Sequence, residues 1–234
     1  MKIAGLQRVT LIDYPGKVAA TVFLAGCNLR CPYCHNRWMI DASTVTEIMS
    51  VAEFLDWLDT RRGLLDGVCV CGGEPTVSGD LPDLLRAIKD RGFLTKLDTN
   101  GTLPQRLGPM LEQGLVDYVA MDIKGPLDGR YAQMAGVPGF SPEPVRRSIE
   151  LLASWGGAYE LRTTAAPGLD EDDLLEIAAT VAAVKPPPPW YVQAFEASDG
   201  VLPEVREQAY LSSEELEALL PRLRAVVPHV ELRS

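Results

Sequence analysis

Residues 18–26 read VAATVFLAG, an apolar run of strand length, and the same kind of run returns along the whole chain. It recurs as GVCVC (67–71), LTKLDTN (94–100), DYVAMDIK (117–124), AYELRTT (158–164) and WYVQAF (190–195), with HVELR (229–233) as a last candidate. Amphipathic stretches separate these runs, and several carry helix-start chemistry. Ser50 and Glu53 form a capping-box pattern opening a helix that reaches about Arg62. Asp80 is placed to cap a helix that Gly92 ends, and a further helix closes near Gly114. Ser141–Pro142, Asp170 and the Ser212/Glu215 pair start three more, the second running to Lys185.

Strand and helix alternating about six times make a parallel sheet the economical fold. Six units fall short of the eight that close a TIM barrel, so an open, three-quarter barrel or a doubly wound sheet is expected. The prolines at 186–189 read as a stiff loop into a strand rather than a domain linker. A single domain over 1–234 is expected, with 1–17 as an extension packing on a barrel formed by 18–234.

In parallel sheets of either kind, ligands gather at the carboxyl ends of the strands. The unusual residues lie there: Cys27 after the first run, GGEP (72–75) after the second, DTNG (98–101) after the third, DIK (122–124) ending the fourth. Lys96, Asp98, Asp122, Lys124, Glu160, Arg162 and Gln193 also fall at alternate positions on their strands, which places each set on one face. Because a core does not tolerate unpaired charges, these residues are expected to line a wet pocket.

Composition narrows the function classes. The formal charge is −10, the opposite of the balance by which proteins neutralise nucleic-acid phosphates. No apolar run approaches the ~20 residues of a membrane span. The opening MKIAGLQRVTLIDYPG has one lysine, no continuous apolar core and no small-residue cleavage site, so a secretory signal is not expected. The cytoplasm is the expected location, where clustered cysteines point to metal or catalysis more than to disulfides.

The cluster in question is CNLRCPYCHN (27–36). CPYC alone is a redox dithiol pattern, but such motifs sit in smaller thioredoxin-like folds and leave Cys27 without a role. CPYCH has the spacing of covalent haem attachment, a chemistry of exported proteins. Cys27, Cys31, Cys34 and His35 also make a Cys3His zinc set, although the adjacent side chains of Cys34 and His35 are poorly placed to converge on one small ion. Three cysteines at C-x3-C-x2-C can instead hold three irons of a [4Fe–4S] cube and leave the fourth open to a ligand, where electron-transfer clusters use four thiolates. Spacing alone leaves zinc and iron open. Gly-Gly-Glu-Pro at the next strand end decides for iron.

C-x3-C-x2-C after the first strand followed by GGEP after the second resembles the radical S-adenosylmethionine (SAM) superfamily, whose fold is an open (β/α)6 partial TIM barrel. The opening GLQRVTLIDYPGKVAATVFLAGCNLRCPYCHN, with GGEPT, is more narrowly similar to the anaerobic ribonucleoside-triphosphate reductase activating proteins. DTNG and DIK are similar to pyruvate formate-lyase activating enzyme. The resemblance implies one [4Fe–4S] cluster on Cys27, Cys31 and Cys34, chelated at its open iron by the methionyl amine and carboxylate of SAM. One electron then breaks the sulfonium C–S bond to give methionine and a 5′-deoxyadenosyl radical.

It further implies that Gly72, Gly73 and Glu74 face the ammonium of SAM, that Lys124 pairs with its carboxylate, with Asp122 bonding nearby, and that Tyr33 and His35 lie against the adenine. The resemblance to activating enzymes also implies that Asp98 and Thr99, with Asp122, hold a monovalent cation. Phe195 stands where the pyruvate formate-lyase activating enzyme carries a SAM-contacting His, and Gln193 or stacking on Phe195 is expected to compensate. Cys69 and Cys71 read as buried thiols acting as small hydrophobes.

The implied reaction is hydrogen abstraction from a glycine of an anaerobic ribonucleotide reductase, with Arg162 anchoring the incoming peptide. A flavodoxin- or ferredoxin-type electron donor is expected as a second partner. The alternative is a small-molecule enzyme resembling 7-carboxy-7-deazaguanine synthase, with Lys96, Glu160 and Arg162 on the substrate. A zinc-stabilised binding module is a third, non-enzymatic alternative.

Overall fold

A computed structural model describes residues 1–233. The elements run β1 (Ile3–Thr10), β2 (Ala19–Leu24), α1 (Val51–Asp59), β3 (Gly67–Gly72), α2 (Leu81–Asp90), β4 (Leu94–Thr99), α3 (Pro104–Glu112) and β5 (Tyr118–Asp122). They continue as α4 (Tyr131–Ala135), α5 (Glu143–Trp155), β6 (Ala158–Ala165), α6 (Glu171–Ala183), β7 (Trp190–Ala194), α7 (Pro203–Arg206), α8 (Ser213–Val226) and β8 (Val230–Arg233). Strand order in the sheet follows chain order, β1 through β8. The chain falls into two compact units, Met1–Asn28 with Trp38–Thr99 and Gln105–Ala120, and Leu29–Arg37 with Asn100–Pro104 and Met121–Ser234.

In the first unit β2, β3 and β4 are parallel, Ala19 to Leu24 matching Gly67 to Gly72, and Gly67 to Val70 matching Leu94 to Leu97. Val22, Val68, Val70 and Leu97 on these strands are fully buried, which is why their sequences read as continuous apolar runs. Phe54 and Leu58 of α1 and Leu81, Leu85 and Ile88 of α2 are also buried, each side chain contributing about 1.5–3 kcal/mol of transfer free energy. Ser50 and Glu53 make the expected capping box. Asp80 does not cap α2: its backbone is not extended (ψ 0°), and its carboxylate instead meets the Met1 ammonium at 3.3 Å.

The N-terminal segment adds an element the sequence did not signal. Residues 3–10 form β1, antiparallel to β2. Its outer positions Gln7, Arg8 and Val9 are exposed, so it lacks the apolar continuity of a central strand.

In the second unit β6, β7 and β8 are parallel, Trp190 lying between Leu161 and Val230. The last candidate strand is therefore present. Trp190 is fully buried, and its indole N–H donates to Thr163 Oγ1 at 3.0 Å. Ile177, Ala178 and Val181 of α6 and Leu216, Leu219 and Leu223 of α8 are buried in the same unit. Asp170 and Ser212 cap these two helices, each with a reciprocal bond from the residue three positions on. No helix among the described residues is long and apolar enough to cross a membrane.

Candidate cluster and cofactor site

In the first unit, the carboxyl ends of β2 and β3 are tied together by backbone. The Gly73 N–H donates to the Leu24 carbonyl at 2.9 Å and the Glu74 N–H to the Gly26 carbonyl at 2.8 Å. Gly26 and Cys27 donate in turn to the carbonyls of Met39 and Ile40, at 2.7 and 3.0 Å. The loop bearing Cys27 and the GGEP loop thus share one hydrogen-bonded seam. This seam explains the glycines. A Cβ on Gly73 would stand 2.2 Å from the Gly26 carbonyl oxygen and 3.2 Å from Cys27 Cβ. One on Gly72, whose φ is +128°, would stand 2.2 Å from the Leu24 carbonyl oxygen. The close approach they permit is first of all to the neighbouring strand.

Glu74 is 1% exposed, and its Oε1 accepts from the Thr76 N–H at 3.0 Å and the Thr99 hydroxyl at 2.7 Å, and from the Thr76 hydroxyl as well. Its carboxylate therefore braces the loop against the end of β4. Thr76 was not singled out by sequence; its only signal is its place directly after GGEP. Lys96 is buried beside Asp98 in an ammonium–carboxylate pair, with Cys69 Sγ 3.7 Å and the Tyr118 ring 6.0 Å away. Cys69 is buried as expected, yet its thiol also donates to Asp98 at 3.4 Å. Burial, and then the charge of Asp98, hold that thiol well above its ordinary pKa.

In the second unit, Cys31 and Cys34 share a turn in which the Cys34 N–H donates to the Cys31 carbonyl at 3.1 Å. Cys31 is buried, Cys34 half-buried, and none of the five cysteines is in a disulfide. Burial pushes the Cys31 thiol up, while the Lys124 ammonium pulls towards the thiolate. Burial likewise opposes the charge on Lys124, but Asp122 first, then Cys31, Tyr33 and Tyr131, outweigh it and hold its pKa well above the ordinary value. Asp122 accepts from Arg162 Nε at 2.9 Å and from Lys124 Nζ at 3.4 Å.

Tyr33 is buried near Lys124 and Tyr131, and burial raises its phenol pKa well above normal. Tyr131 sits on α4, a five-residue helix too short to leave a periodic signal. His35 Nε2 lies 2.8 Å from the Glu196 carbonyl, and its ring is 5.9 Å from that of Phe195, which meets Tyr210 edge-on at 5.0 Å.

One expectation needs correction. The alternating polar residues are not an unpaired set lining a wet pocket. Lys96 pairs with Asp98, Lys124 and Arg162 with Asp122, and Glu160, fully buried, takes a bidentate pair from Arg233 on β8 at 2.7 and 3.0 Å. The sequence could not show this, because Arg233 lies 73 residues from its partner. Arg162, expected to anchor substrate, has its Nε committed to Asp122.

The donor chemistry fits an iron–sulfur cluster: three thiols outside any disulfide, at C-x3-C-x2-C spacing. The radical SAM superfamily model matches residues 21–181, more than half of the chain and all three cysteines with the GGEP loop. The chain belongs to the radical SAM superfamily. A [4Fe–4S] cluster and SAM are accordingly its cofactors.

Relatives within the superfamily agree. A candidate glycyl-radical enzyme activating enzyme of Methanocaldococcus jannaschii is 32% identical over 241 residues, spanning 99% of this chain and 95% of that one. The pyruvate formate-lyase 1-activating enzyme of Escherichia coli K12 is 30% identical over 179 residues, 74% of this chain and 70% of its own. Among solved structures, Streptococcus suis SuiB bound to its precursor peptide SuiA superposes with a TM-score of 0.72 at 15% identity. That match covers 92% of this radical SAM chain and 48% of SuiB, so this chain spans about half of that protein's length. The expected fold class, an α/β open partial barrel of the radical SAM type, is thereby established.

Proposed function

We propose that this protein is a glycyl-radical enzyme activating enzyme whose target is an anaerobic ribonucleotide reductase. Bound together, the cluster and SAM supply one-electron cleavage of the sulfonium C–S bond and hence a 5′-deoxyadenosyl radical. The chain's own residues hold and shield the reactants. Cys27, Cys31 and Cys34 are the cluster ligands, and His35 is not. The GGEP loop, braced through Glu74, presents Gly72, Gly73 and Glu74 to the ammonium of SAM. Lys124 takes the methionyl carboxylate, with Asp122 fixing the lysine. Tyr33 and His35 flank the adenine, with Phe195 beside the His35 ring.

The observation that carries this reading is the near end-to-end match to a candidate activating enzyme, which leaves little of either chain outside the alignment. The electron source in this reading is a flavodoxin- or ferredoxin-type protein.

The test combines reconstituted, reduced protein, SAM and the partner reductase, followed by electron paramagnetic resonance. The expected result is a glycyl doublet, with 5′-deoxyadenosine formed alongside. A full cluster and ready SAM cleavage without that doublet would transfer the reading to a small-molecule substrate. Loss of the cluster on His35→Ala, with the cysteines intact, would overturn the ligand assignment.

A further inference from the structure

The resemblance to activating enzymes implies a soluble monovalent cation on Asp98, Thr99 and Asp122, and the residues present do not fit one. Asp98 already carries a protein cation. The Lys96 ammonium, 1% exposed on the same strand two residues earlier, sits against its Oδ1. Asp122, taken by itself, carries two protein cations, Arg162 at 2.9 Å and Lys124 at 3.4 Å. A carboxylate that already holds an ammonium offers a second monovalent cation little net attraction, and the two cations repel.

A buried lysine is costly unless paired, and an apolar side chain would fill an interior strand position between buried Thr95 and Leu97 more cheaply. The Lys96 stem instead brings the charge to the carboxyl end of β4, where Asp98 and Thr99 lie. Cys69 Sγ at 3.7 Å and the face of Tyr118 at 6.0 Å complete a soft, weakly hydrated surround that suits an ammonium held in place.

We infer that Lys96 is a tethered replacement for the soluble cation, so that SAM binding by this protein is independent of potassium or sodium. Lys96 is a positioning residue: it fixes the Asp98 carboxylate and supplies the charge a free ion would otherwise bring. The inference rests on the reading that the protein binds SAM at this strand end.

The experiment measures SAM affinity of the anaerobically reconstituted holoprotein by calorimetry. It compares potassium chloride with tetramethylammonium chloride at equal ionic strength, the latter cation being too large to enter. Wild-type affinity is expected to agree within about twofold between the two salts. Lys96→Met is expected to lose at least about tenfold in tetramethylammonium and to recover most of it in potassium or ammonium chloride. Lys96→Arg, which keeps the charge, is expected to stay salt-independent.

A wild-type affinity that rises more than about fivefold with potassium would overturn the inference without any variant. So would a Lys96→Met loss that no cation restores, since a purely structural lysine cannot be rescued by salt. Absence of SAM binding by the wild type in every salt would overturn the underlying SAM reading, and the inference with it.

Discussion

Replacing Gly73 with alanine tests the seam between the two loops, because alanine adds one carbon and changes nothing else. Gly73 does not lie at positive φ, so the penalty is steric rather than conformational. The new Cβ starts 2.2 Å from the Gly26 carbonyl oxygen, against an ordinary carbon–oxygen contact of about 3.3 Å. Relief therefore needs a displacement of about 1 Å. A shift of that size takes the 2.9 Å Gly73-to-Leu24 and 2.8 Å Glu74-to-Gly26 bonds out of hydrogen-bond range. Two lost bonds, with their groups left partly buried, cost about 2–4 kcal/mol.

For a chain of this length that corresponds to a Tm lower by roughly 5–15 °C in the apoprotein, read by circular dichroism. Cys27 Cβ is also in the way, at 3.2 Å, so iron bound after reconstitution should fall below the roughly four per chain of the wild type. Gly79→Ala is the control: a Cβ there meets nothing within 4 Å, and Tm should stay within the effect of about 0.5 kcal/mol typical of surface changes. A Gly73→Ala protein with wild-type Tm, full iron and normal SAM cleavage would refute the argument that the glycines exist to close this seam.

Two further variants test the interior charge pairs. Arg233→Met removes the bidentate partner of the fully buried Glu160 carboxylate, and about 3 kcal/mol of stability should go with it. The loss should shrink in the Glu160→Gln/Arg233→Met double variant measured against Glu160→Gln alone; an equal loss in both backgrounds would point to packing instead. Asp117→Asn removes a carboxylate that accepts from the Thr95 N–H at 2.8 Å and from Lys89 at 2.6 Å, and about 1–2 kcal/mol should be lost at neutral pH. Burial alone would raise the Asp117 pKa, but these bonds outweigh it and lower it. Its stabilisation is therefore present above the unfolded value and lost as pH falls through the folded one, so denaturation curves of wild type and variant should converge as pH falls below the ordinary carboxylate range.

The sequence by itself determined the local pieces and their order. A strand run such as VAATVFLAG is legible because both faces of its strand are almost wholly buried, which leaves a near-continuous apolar signature. Capping boxes at Ser50, Asp170 and Ser212 are legible because their partners lie three residues away. The cysteine spacing with GGEP at consecutive strand ends carried the family resemblance, and the cofactor chemistry came with it.

What only the tertiary structure decided is which charges meet. Lys96 and Asp98 look like two pocket residues in sequence, and their pairing within the interior appears only when the strand folds beside Cys69 and Tyr118. Glu160 and Arg233 are separated by most of a unit, and Glu74 reaches Thr99 across two strands. β1 escaped notice because an edge strand with exposed Gln7 and Arg8 carries no apolar run. The glycines of GGEP were legible as a close approach, but not to what: a backbone contact leaves no mark on the sequence of the strand it touches. Charge pairing and backbone packing depend on distances through space, and a sequence records only distances along the chain.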